Sequence, residues 1–108
     1  IYGDGSVVRD FFDVRDLAQF ILMCVEKPTS GIFNCGSGDG ASLIEVARAV
    51  EVATNSTLDI ERLPPRPFDP ARVVLDINSA ISEFGWRPMI GLNEGISNLA
   101  RSFLADAD

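Results

Sequence analysis

The chain has 108 residues, a net charge of −7, 46% hydrophobic and 23% charged residues, which describes one soluble globular domain with a modest core. The acidic balance argues against nucleic acid as a partner, because phosphate-backbone binding needs clustered basic residues, and no apolar run approaches the roughly 20 residues of a membrane span. Histidine is absent, which removes a His-based triad and His metal ligands, and the two cysteines, Cys24 and Cys35, follow no metal or redox spacing.

Gly3-Asp4-Gly5 reads as a turn. Val7 to Phe12, rich in β-branched and aromatic residues, reads as a strand. Asp13 is placed to cap a helix that runs to about Glu26, with Asp16 as its capping-box partner. Leu17, Phe20, Ile21, Cys24 and Val25 recur at helical spacing and predict its buried stripe. Pro28 and Gly31 end it. Asp10 and Asp16 read as groups that stabilise turns and this helix's N-terminus. The two cysteines read as buried free thiols of a reducing, cytoplasmic compartment.

A short strand is expected over Ile32 to Cys35. After a glycine-rich loop, the capping box Ser42-Leu43-Ile44-Glu45 starts a helix that runs to about Ala53, with Asn55 as a left-handed C-cap. Alternation from Leu58 to Leu63 predicts a strand. Pro64 to Pro70 holds four prolines in seven residues, a stiff extended loop. Val73 to Leu75 reads as a brief strand. Asp76 or Asn78 caps a short helix to Phe84, Gly85 stops it, and Trp86 packs over the core. The last helix covers Leu92 to about Leu104, with Leu92, Ile96, Leu99, Ala100 and Phe103 on one buried face. The pattern is mixed α/β, α+β-like: about four helices with short strands in one small domain.

Two arginines stand out. Arg9 follows the Gly3–Gly5 turn, and Arg66 sits inside the proline run, beside Asp69. Both are framed by turn chemistry and apolar neighbours, which holds a guanidinium in place. A fixed guanidinium fork suits phosphate oxygens. Arg9 and Arg66 are therefore candidate contacts to an anionic ligand, and stiffness of the loop lowers the entropy lost on binding.

Gly36-Ser37-Gly38-Asp39-Gly40-Ala41 fits the dinucleotide pattern G-x-G-x-x-G/A, with Asp59 and Glu61 at about the spacing of a ribose contact. Its helix starts only at the Ser42 cap, after the third small residue, and the strand before it is short and polar. The strand after it alternates with charge, unlike a strand covered on both faces. These features favour a glycine-rich turn over a phosphate-facing loop, and both over a true NAD fingerprint.

Five segments in register resemble the NAD-dependent epimerases and dehydratases, the extended short-chain dehydrogenases. Gly3-Asp4-Gly5 with Arg9-Asp10-Phe11 and Val14-Arg15-Asp16 is similar to G-D-G-x-x-x-R-D-F-x-x-V-x-D. Ile32 to Gly38 is similar to F-N-x-G-S-G, and Arg66-Pro67-Phe68-Asp69 to R-x-G-D, with Phe68 where the family has glycine. Asp76 to Ala80 and Phe84 to Pro88 are similar to D-x-S-K-A and L-G-W-x-P. Asp13 stands where the family often has His or Tyr.

The resemblance implies that residues 1–108 form the C-terminal, nucleotide-sugar-binding portion of such an enzyme, with no Rossmann cofactor domain of their own. It implies a UDP- or dTDP-sugar as partner, with Arg9 and Arg66 on its diphosphate and Asp69 on the ribose or the loop. NAD is implied for the complete enzyme and no cofactor for this portion. The family's G-x-x-G-x-x-G and Tyr-x-x-x-Lys do not occur here; Tyr2 and Lys27 are the single tyrosine and lysine. Turnover by this chain alone is therefore not expected. In isolation, bare apolar surface is expected to drive homo-oligomer formation. The alternative is a stand-alone interaction module that keeps the fold without the ligand.

Overall fold

Val8 and Arg9 form β1 (Val8–Arg9), the middle strand of a three-stranded sheet in the computed structural model, which describes residues 1–107. On one side β2 (Ala41–Ser42) pairs antiparallel, Val8 opposite Ser42 and Arg9 opposite Ala41. On the other, β3 (Arg72–Val73) pairs parallel, Val8 opposite Arg72 and Arg9 opposite Val73. Upstream, an isolated parallel bridge joins Tyr2 to Leu63. The chain's start and its proline-rich loop thus run side by side, joined at both ends.

The helices are α1 (Val14–Glu26), α2 (Leu43–Thr54), α3 (Asn78–Phe84) and α4 (Leu92–Asp106). Their ends follow local chemistry. The Asp13 carboxylate accepts from the Arg15 N–H at the start of α1. The capping box of Ser42 and Glu45 closes reciprocally at the start of α2. Asn55, at φ 50°, and Gly85, at φ 66°, end α2 and α3 in the left-handed conformation. Ile77 rather than Asp76 or Asn78 takes the N-cap position of α3, and Asp76, two residues before the helix, accepts from the Asn78 N–H. The mixed α/β class and the four helices hold.

The core gathers where α1, α3 and the segment after α3 meet. Phe20, Ile77, Ala80 and Trp86 are its buried hydrophobic residues. Phe20 lies 5.0 Å from Trp86 and 5.4 Å from Phe84, ring centre to ring centre, and Phe33 reaches Phe84 at 5.1 Å. Trp86 donates its Nε1–H to the Asp16 carbonyl at 3.1 Å, so the largest core side chain leaves no polar atom unpaired. Elsewhere α2 and α4 pack side by side.

The strands depart from expectation. The Val7–Phe12 strand shrinks to Val8–Arg9. Ile32–Cys35 forms no strand: Phe33 and Cys35 pack on the core, Asn34 donates to the Asp76 carbonyl, and Ile32 is fully exposed. Leu58–Leu63 is coil apart from the Leu63 bridge, exposed except at the half-buried Ile60. β3 lies at Arg72–Val73 rather than Val73–Leu75, because the Leu75 N–H is taken by Asp10. Ala41–Ser42 pairs although nothing in its composition marks a strand.

Asp16 does not complete a capping box. It is buried, and its carboxylate accepts from the Met89 and Ile90 N–H groups at 3.1 and 3.0 Å, fastening the segment after Trp86 to α1. The stripe expected to bury α1 is also only partly right. Phe20 is buried and Leu17 and Cys24 half-buried, but Ile21 and Val25 face outward with Val14 and Leu22. On α4, Leu99 and Phe103 are exposed. The reason is the shape: the molecule measures 46 × 42 × 16 Å, with a radius of gyration of 16.3 Å, against roughly 13 Å for a compact chain of this size. It is a slab about one layer thick, so its helices have one inner side and one bare side.

Candidate functional site

Arg9 ends β1 with its side chain turned toward the proline-rich loop. Its Nη1 donates to the Pro70 carbonyl and to the Val8 carbonyl, both at 2.8 Å. Arg66 sits four residues before Pro70 and faces Asp69. Its Nε and Nη2 donate to the two carboxylate oxygens at 2.8 and 3.0 Å, a forked pair. The Asp69 N–H closes a turn back to the Arg66 carbonyl at 3.2 Å, with Pro67 and Phe68 at its tip. Arg66 also lies over the Tyr2 ring, 4.3 Å from its centre, and 5.4 Å from that of Phe68.

The structure therefore brings all three sequence-predicted residues to one loop. Arg66 and Asp69 touch directly, and Arg9 reaches the same loop through Pro70. The parallel pairing of the chain's start with residues 63–73 does this. Among the described residues, Arg9 Nε and Nη2 and Arg66 Nη1 donate to no protein group. Donors of both arginines thus remain free for an anion.

A cavity of about 620 Å³ opens here, lined by Tyr2, Asp4, Arg62, Leu63, Arg66 and Asp69 among others, while Arg9 stands outside its lining. It falls in the range of small-molecule sites. A larger cavity of about 860 Å³ lies between α2 and α4. Its single arginine, Arg48, shares the wall with Asp39, Glu45 and Glu94, a field that repels a polyanion. The smaller cavity is the better candidate for an anionic ligand.

The glycine-rich loop is already engaged by a carboxylate of the chain itself. Asp10 accepts from the Ser37 N–H at 2.8 Å, the Ser37 hydroxyl at 2.6 Å, the Gly38 N–H at 3.1 Å and the Leu75 N–H at 3.2 Å. A Cβ on Gly36 would fall 2.8 Å from Asp10 Oδ2, so glycine there makes room for the carboxylate. Burial pushes the Asp10 carboxyl up, but the bonds from Ser37, Leu75 and Gly38 outweigh it and hold it below the usual carboxylate range. The loop is a glycine-rich turn wrapped around Asp10. Sequence reasoning placed Asp10 among turn-stabilising groups but missed its partners, which lie 27 and 65 residues away.

Other titratable groups explain themselves structurally. The Arg15 side chain holds the Asp13 carboxyl down at about 2. Cys24 and Cys35 are free and half-buried rather than buried, and burial pushes the Cys35 thiol up, away from a reactive thiolate. No described group of His, Cys, Asp and Glu is arranged to hold a metal ion, and no helix among the described residues is long and apolar enough to cross a membrane.

Residues 1–36 match the model of the NAD dependent epimerase/dehydratase family. The chain is 36% identical over 88 residues to a UDP-glucose 4-epimerase of Corynebacterium glutamicum, covering 79% of this chain and 27% of that protein. It is 31% identical over 103 residues to UDP-glucuronic acid decarboxylase 1 of Arabidopsis thaliana, covering 95% and 24%. Its fold matches the structure of UDP-glucose 4-epimerase from Thermotoga maritima, solved with UDP-glucose, at a TM-score of 0.91 and 30% identity, over 100% of this chain and 35% of that one.

The chain belongs to the NAD-dependent epimerase/dehydratase family. Its slab is the fold of a part of the extended short-chain dehydrogenases, and it spans about a quarter of the curated relatives above and about a third of the structural one. Within that family frame the Arg9–Pro70 contact and the seat of Arg66 over Tyr2 bring the motif beginning at Gly3 beside the one beginning at Arg66.

Proposed function

We propose that this chain is the nucleotide-sugar-binding portion of an NAD-dependent epimerase or dehydratase. Arg9 and Arg66 grip the diphosphate of a UDP- or dTDP-sugar, and Asp69 orients Arg66 and meets the ribose. The observation that carries this reading is the fastening of both arginines to one proline-framed loop beside a nucleotide-sized cavity. Two guanidinium groups with free donors neutralise a diphosphate from two sides by charge-assisted hydrogen bonds. The Arg66–Asp69 pair fixes the guanidinium through Nε and Nη2 and leaves Nη1 for a phosphate oxygen, which lowers the cost of ordering the side chain.

The residues of this chain do not fit NAD. The N–H groups of the one dinucleotide-like loop serve Asp10. Tyr2 lies under Arg66, while the Lys27 ammonium donates to the Glu83 carbonyl and pairs with its carboxylate. The single tyrosine and the single lysine are thus held by separate partners and do not form the pair that the family's Tyr-x-x-x-Lys supplies. The cofactor-binding portion of the complete enzyme supplies both, and it packs on the bare side of the slab, where α1 presents Val14, Ile21, Leu22 and Val25.

Calorimetry with UDP tests the assignment. Arg9→Ala and Arg66→Ala are each expected to weaken binding by roughly tenfold or more, the scale of one charge-assisted contact. Unchanged affinity in both variants would overturn it.

A further inference from the structure

We propose that Phe68 is a stacking platform for the aromatic base of the bound nucleoside diphosphate, an inference that rests on the diphosphate reading of Arg66. Phe68 is 74% exposed, although an aromatic ring gains by leaving water. It is not a loosely held side chain. It occupies the third position of the Arg66–Asp69 turn, whose closing hydrogen bond is 3.2 Å, and Pro67 within the turn and Pro70 just after it stiffen the backbone. The backbone at Phe68 has no positive φ, so the turn needs no glycine at that place. A large ring is thus held out in water on a rigid support.

Its neighbours define what it meets. Arg66 lies 5.4 Å from the ring, and Arg66 and Asp69 line the 620 Å³ cavity that the same turn borders. Phe68 flanks this cavity rather than lining it. A diphosphate seated on Arg66 has its nucleoside within a side chain's length of the turn tip. A planar base offers the π-face that an exposed phenyl ring stacks on, with little dependence on which base it is. A carbohydrate-free anion such as pyrophosphate offers none. Phe68 then contributes to holding the nucleotide and nothing to holding the phosphates.

The test is calorimetry of the 108-residue chain with UDP and with inorganic pyrophosphate. Phe68→Ala is expected to weaken UDP roughly five- to a hundredfold, the range of one lost stack, while pyrophosphate binding stays unchanged. Phe68→Trp is expected to restore UDP binding. Because the ring is exposed, neither variant disturbs the core, which a circular dichroism melt verifies. If Phe68→Ala leaves UDP affinity unchanged, or weakens UDP and pyrophosphate equally, the stacking role is overturned. If Arg66→Ala abolishes pyrophosphate binding while Phe68→Ala is silent, the diphosphate reading stands and this inference alone falls. If the unaltered chain binds neither ligand, both fall together.

Discussion

The Asp10 carboxylate holds Ser37 twice, accepting from its N–H at 2.8 Å and from its hydroxyl at 2.6 Å. The same carboxylate takes the Gly38 and Leu75 N–H groups. One side chain at the end of β1 thereby ties the glycine-rich turn and the approach to α3 to the strand that carries Arg9. Replacing it with asparagine keeps the volume but removes the charge and one acceptor. Asp10→Asn is expected to cost about 2–3 kcal/mol, the scale of charged hydrogen bonds broken in a half-buried place. Urea unfolding checks this. The shift should appear as a lower midpoint with little change in slope.

Acid should weaken the fold through the same kind of contact. The Asp10 and Asp13 carboxyls sit below their ordinary value of 3.8, and Asp13 reaches about 2. A folded pKa below the unfolded one gives stability that is complete above the unfolded value and lost as pH falls through the folded one. The melting temperature is therefore expected to hold steady above about pH 4 and to fall between there and about pH 2. A thermal melt series across that window measures it, and the Asp10→Asn variant should show a shallower fall.

The outer side of α1 makes a third expectation. Val14, Ile21, Leu22 and Val25 are each half exposed or more, on a helix with Arg15, Gln19 and Glu26 as its few outward polar residues. A helix apolar on nearly all sides belongs between two layers. On its own, the chain is expected to self-associate with rising concentration, and Ile21→Glu with Val25→Glu is expected to shift it toward monomer. Light scattering after size exclusion reads the mass directly.

What the sequence makes legible here is local. The caps at Asp13 and Ser42, the left-handed Asn55 and the stop at Gly85 all act within a few residues, so the helix ends could be read from composition. The strands could not, because two-residue pairings such as Val8 with Ser42 and Arg72 exist only once distant segments meet. Asp10 and Asp16 hid for the same reason: their partners lie 27 to 74 residues away. The outward stripe of α1 was misread because apolar periodicity marks burial without saying which layer supplies it. Arg9 and Arg66 stand out because glycine and proline framing marks fixed side chains, and Asp69 through its motif's resemblance to R-x-G-D. Their meeting through Pro70 was not legible, since it follows from the parallel pairing of residues 1–9 with 63–73.

The most direct test of the site is a nuclear magnetic resonance titration of the chain with UDP. Amide shifts are expected to cluster at Tyr2 to Arg9 and at Leu63, Arg66, Phe68 and Asp69, with the Arg9 and Arg66 side-chain signals among the most perturbed. Shifts confined to Ser37–Ala41, or no shift at saturating UDP, would contradict the account.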